Sequence, residues 1–121
     1  MDYQSETRVE SKAAPGVWFT IARMSFGRRI ELTRRIWELA AKVEHLEAST
    51  DVSEKLEAAV VAGEIDRVYL SWGLRKIEGL TVDGEPATPE VAMAQGPEEL
   101  CREIVATIKS ECGLSGEETK N

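Results

Sequence analysis

The sequence predicts a mainly α protein with a small β element, folded as a single compact domain. Long apolar stripes at helical spacing, one run rich in β-branched and aromatic residues, and one Asp-Gly turn carry that prediction. The chain has 121 residues, 42% hydrophobic and 31% charged, the profile of a globular domain long enough to bury a sizeable core. Residues 1–16 are polar and close on Ala13-Ala14-Pro15-Gly16, so they read as a flexible leader. Val17-Trp18-Phe19-Thr20-Ile21 then reads as a short strand. Ser25 is placed to cap a first helix with the stripe Leu32, Ile36, Leu39, Val43 and Leu46, ending near Ala48. Asp51 followed by Glu54 resembles a capping box and opens a second helix. Its stripe takes in Leu56, Val60, Ile65, Val68 and Trp72, with a bend or close helix contact expected at Gly63 and a stop at Gly73.

Ile77 to Val82 reads as extended, and Asp83-Gly84 is a hairpin-turn dipeptide, which places a hairpin near residues 77–87. Thr88-Pro89 starts a short helix, and Pro97-Glu98-Glu99 starts another carrying Leu100, Ile104, Ile108 and Cys112, with Gly113 as its C-terminal cap. The mostly helical domain therefore spans 17–114, and 115–121 reads as a loose polar tail.

Composition excludes several functions. The longest purely apolar run, Ala58 to Ala62, is far short of the ~18 residues of a membrane span, and the first fifteen residues lack the apolar stretch of a secretory signal. A cytoplasmic protein is expected. The formal charge of −7 argues against non-specific nucleic-acid binding. Cys101 and Cys112, eleven residues apart, would lie ~16 Å apart along one helix, too far for a disulfide, and they read as small buried hydrophobes. One histidine and these two cysteines make no zinc set. His45 has no nucleophile beside it, and neither G-x-G-x-x-G nor G-x-x-x-x-G-K-[ST] occurs. No catalytic residue, metal ligand or cofactor is expected, and the chain reads as a non-enzyme.

One local rule is broken. Between Ile21 and Lys42 stand Arg23, Arg28, Arg29, Arg34, Arg35 and Lys42 against Glu31 and Glu38, in a chain that is acidic elsewhere. Arg28 and Arg29 also oppose the helix dipole from the first turn. A solvated face laced by the i,i+4 pairs Glu31–Arg35, Arg34–Glu38 and Glu38–Lys42 accounts for much of this. The competing reading is a partner-binding face made of Arg28, Arg29, Arg34, Arg35 and Trp37, although core is the expected place for Trp37 itself.

The order of Trp72-Gly73-Leu74, Ile77 to Val82, Asp83-Gly84-Glu85-Pro86, Thr88-Pro89-Glu90 and Gly96-Pro97-Glu98-Glu99-Leu100 resembles the tail assembly chaperones of long-tailed bacteriophages and prophages. The run from Val17 to Phe26 is similar to the strand that leads into a basic helix in that family. The resemblance implies binding of the tape-measure protein during tail morphogenesis, with the tail tube protein as a further client, in the bacterial host cytoplasm and without catalysis. It also implies a longer product made by frameshifting, since codons for Lys120-Asn121 can supply a slippery heptamer. Homo-oligomerisation is compatible with it, because several copies on one client gain by avidity. The alternative is a small regulatory nucleic-acid-binding protein that uses the basic helix 23–42.

Overall fold

The structure is a computed structural model that describes residues 1–113. Its elements run β1 (Glu6–Glu10), β2 (Trp18–Ala22), α1 (Phe26–Glu47), α2 (Val52–Gly73), β3 (Leu74–Glu78), β4 (Thr81–Val82), β5 (Glu85–Pro86), α3 (Pro89–Gln95) and α4 (Glu98–Glu111). The fold is mainly α with a small β element, as the sequence predicts. The loose polar tail expected at 115–121 lies outside the described residues, as does Leu114.

The sheet is antiparallel with β2 at its centre, in the order β1-β2-β3. Alternation along β2 sends Phe19 and Ile21 inward, opposite Val9 and Thr7 on one side and Ile77 and Leu74 on the other. Arg75 is the extra residue where the β2–β3 register shifts between Thr20 and Ile21. On the outer face the Arg8 guanidinium lies 4.1 Å from the centre of the Trp18 ring and 3.1 Å from Glu78. The inner face joins Leu32, Tyr69, Leu70, Trp72, Leu100, Ile104 and Ile108 in one core.

The first correction concerns residues 1–16, expected to be a flexible leader. They contain β1, which pairs along its whole length with β2. Three features missed by a composition reading hold this segment. Tyr3 donates its hydroxyl to the Met24 carbonyl at 2.6 Å. The Arg23 amide donates to the Ser5 carbonyl at 2.9 Å. Ser11, 3% exposed, accepts from the Ala14 amide at 2.8 Å and donates to Glu103 on α4. Glu103 also accepts the Lys12 amide at 2.7 Å, so one carboxylate pins the β1–β2 loop to the terminal helix.

That carboxylate carries a pH prediction. Burial pushes the Glu103 pKa up, but bonds from Ser11, Lys12 and Ala13 and the charge of Lys12 outweigh it and hold it below the ordinary value of 4.5. A depressed folded-state pKa contributes stability that is present above the unfolded value and lost as pH falls through the folded one. Glu103→Gln therefore lowers the urea midpoint at about pH 7, and the gap from wild type closes as the pH falls through the folded-state pKa of Glu103. A gap that stays constant with pH would remove the charged bond from this account.

The hairpin falls inside the expected window but is shorter than Ile77–Val82 suggested. Ile77 and Glu78 belong to β3, and Gly79, at φ +83°, ends that strand. β4 and β5 then pair around Asp83 (φ 52°) and Gly84 (φ 84°), the two positive values of a type I′ turn. Ser25, Asp51 and Thr88 cap α1, α2 and α3 through the amides of Arg28, Ser53 and Val91. At Gly63 α2 runs on without interruption, and a Cβ there would meet nothing within 4 Å, so the expected close contact is absent. Cys112 is fully buried, and burial raises its thiol pKa to about 11, which keeps it protonated and inert.

Candidate interaction faces on the helical hairpin

α1 and α2, each 22 residues long, form an antiparallel hairpin about 33 Å in length. Only part of it packs on the sheet and α4. Toward its tip the two helices hold each other through a separate small core of Leu46, Ala58 and Val61, with Leu39 and Val43 against it. The α1 stripe Leu32, Ile36, Leu39, Val43, Leu46 faces inward as its spacing predicts.

Trp37 is corrected from core to surface: it is 69% exposed. It follows Ile36, and one residue rotates a helix by about 100°, so it is carried off a face that five other side chains already fill. Phe26, Ile30 and Trp37 make a second, outward apolar stripe on α1, with Thr33 between the last two. A notch of about 420 Å³ opens there, lined by Arg29, Ile30, Thr33, Arg34, Trp37 and Glu38.

The α2 stripe is corrected too. Leu56 and Val60, expected inside, are each 65% exposed, and Val52 is 71% exposed. The residues buried against α1 near the tip are Ala58 and Val61 instead. Two stripes at helical spacing run along α2, and spacing alone does not say which of them turns inward. Val52, Leu56, Ala59 and Gly63 follow steps of four, three and four, the spacing of a coiled-coil seam. This seam runs into an open groove of about 600 Å³ between α2 and α4, whose walls include Ala59, Ala62, Gly63, Leu70, Val105 and Ala106.

The arginines divide. Arg28 donates to the carbonyls of Ser5 at 2.7 Å and Arg23 at 2.9 Å. Arg29 donates to the Cys112 carbonyl at 3.1 Å, meeting the negative end of α4. The two residues that oppose their own helix dipole are thus used to dock α1 onto the N-terminal segment and α4. Arg34 and Arg35 are exposed and have no ion pair among the described residues. None of the expected pairs Glu31–Arg35, Arg34–Glu38 or Glu38–Lys42 forms; Lys42 reaches across the hairpin to Glu57 at 3.6 Å. Exposed i,i+4 pairs gain only ~0.3–0.5 kcal/mol, little against the entropy of holding two long side chains. Of the five residues proposed from sequence, the structure brings Arg34, Arg35 and Trp37 to the outer side of one helix and gives Arg28 and Arg29 internal partners.

His45 is exposed on α1. Among the described residues, no group of three or more His, Cys, Asp or Glu is placed to hold a metal ion, and no helix is long and apolar enough to cross a membrane. In comparisons with known proteins, no family model, curated protein or solved structure matches the chain.

Proposed function

We propose that this protein is a tail assembly chaperone-like protein of a phage or prophage, which holds the tape-measure protein during tail morphogenesis in the host cytoplasm and catalyses nothing. The observation that carries this reading is the uncovered face of α2, where the exposed Val52, Leu56 and Val60 lie on or beside the seam of Val52, Leu56, Ala59 and Gly63. Large apolar side chains left at the surface of a small protein in a continuous row mark an interaction site. The seam spacing suits a helix as the occupant, and the small residues Ala59 and Gly63 let its backbone come close. A tape-measure protein is a long helical chain with apolar seams of its own, for which such a face is a temporary cover. The tail tube protein is a second client of the same kind.

The test is co-expression with the tape-measure protein, followed by pull-down at ~150 mM and ~1 M salt, where charge contacts are screened within ~3 Å. The client is expected to be soluble only alongside this protein and to stay bound at high salt. The double substitution Leu56→Lys/Val60→Lys is expected to lower recovery of the complex at least tenfold, the equivalent of ~1.4 kcal/mol, while leaving the helical circular dichroism unchanged. A client indifferent to this protein would sink the proposal. So would salt-sensitive retention of DNA or RNA without a client, which would favour the basic helix as a nucleic-acid contact.

A further inference from the structure

We infer that the outer face of α1 is a self-association surface, on which two copies of the helix lie antiparallel about a twofold axis near Thr33 and Trp37. This face lies on the other helix of the hairpin from the α2 seam, so the inference does not depend on the client reading.

Three observations converge on a second copy as the occupant. The first is charge. The N-terminal half of α1 holds Arg28, Arg29, Arg34 and Arg35 against Glu31, whereas the half after Trp37 holds Glu38, Glu44 and Glu47 against Lys42. A helix with a basic first half and an acidic second half attracts a copy of itself only when the copy runs the other way. The second is shape. Phe26, Ile30, Thr33, Trp37, Ala40 and Glu44 follow steps of four, three, four, three and four along the exposed side. In an antiparallel pair that places Trp37 opposite Thr33, each Ile30 meets Ala40, so at both layers a large side chain faces a small one. The notch beside Thr33 is then filled by the indole of the other copy. An isologous interface requires this, the same patch supplying both the projection and its recess. The third is availability. In this register Arg34 of one copy comes beside Glu38 of the other, and neither has an ion-pair partner within its own chain among the described residues.

Sedimentation velocity on the full chain, from about 1 to 200 μM at ~150 mM salt, tests this. Wild type is expected to move from monomer to dimer with concentration. Arg34→Glu and Glu38→Arg each place like charges at the paired positions and are expected to weaken the dimer about tenfold or more. Mixing the two single variants is expected to restore association as a heterodimer, because each then meets its opposite. The double variant Arg34→Glu/Glu38→Arg is expected to dimerise alone. Trp37→Ala is expected to be monomeric across the range. Arg34, Trp37 and Glu38 are all exposed, and unchanged circular dichroism and urea midpoints confirm that each variant folds. A wild type that stays monomeric throughout overturns the inference. So does a dimer indifferent to either charge reversal, a mixture that fails to associate, or association that survives Trp37→Ala.

Discussion

Phe19→Ala is expected to lower the free energy of unfolding by about 3–5 kcal/mol, the range for removing a large aromatic side chain from a core. Phe19 is 0% exposed at the middle of the central strand, with Val9 and Ile77 across from it on β1 and β3. It stands in the same core cluster as Ile104 and Ile108 of α4. Removing the ring leaves a cavity bordered by elements from both ends of the chain. The sheet cannot collapse into that space without breaking its register, so the loss falls toward the upper end of the range. Urea unfolding followed by circular dichroism measures it. Trp37→Ala supplies the contrast: an equally drastic truncation at an exposed position, expected to stay within about 0.5 kcal/mol when measured as the monomer. A loss below ~1 kcal/mol at Phe19 would mean that the β-sheet is not the floor of the core.

The contrast between these two residues shows what could be read in the sequence. Local signals translated well. Ser25, Asp51 and Thr88 cap the helices they precede, Gly73 ends α2, and Asp83-Gly84 turns a hairpin. Each of these depends on a few adjacent residues and on backbone chemistry that acts within one turn. What could not be read depends on partners distant in sequence. Strand β1 is polar and short, and its pairing with β2 is set by a loop that Ser11 and Glu103 tie down across 92 positions. No spacing rule connects those two side chains. The stripes on α1 and α2 were visible, but a helix with two apolar faces does not announce which one turns inward. Leu56 is larger than Ala58, and Val60 equals Val61 in size, yet Ala58 and Val61 are the buried pair, because they lie on the side of α2 that meets Leu39, Val43 and Leu46 of α1. Basic residues pose the same difficulty. Arg28, Arg29, Arg34 and Arg35 are alike in sequence, and only the fold separates the two that bond backbone carbonyls from the two that have no ion pair among the described residues.

Gly79→Val is expected to destabilise the protein by several kcal/mol, and two independent terms set that size. Gly79 has φ +83°, a conformation that costs a residue with a side chain of order 1–3 kcal/mol. A Cβ at this position would also collide with the Gly16 carbonyl oxygen and crowd the Cα of Val17. Those neighbours are backbone, held in place because the Val17 carbonyl accepts from the Ser11 amide at 2.8 Å and the Val17 amide donates to Ala14 at 3.0 Å. They cannot swing aside as a flexible side chain would. Relief requires either β3 to part from β2 or the β1–β2 loop to leave Glu103, and both routes give up buried contacts around Phe19 and Ile77. Gly84→Ala separates the two terms, since Gly84 has φ +84° but open space where its Cβ would stand. Its cost should therefore be the backbone term alone, of order 1 kcal/mol. Thermal or urea unfolding of Gly79→Ala, Gly79→Val and Gly84→Ala should rank Gly84→Ala as the mildest and Gly79→Val as the most severe. Equal losses for Gly79→Ala and Gly84→Ala would show that the loop yields, and that the close approach of Gly79 to Gly16 contributes nothing to the stability of the sheet.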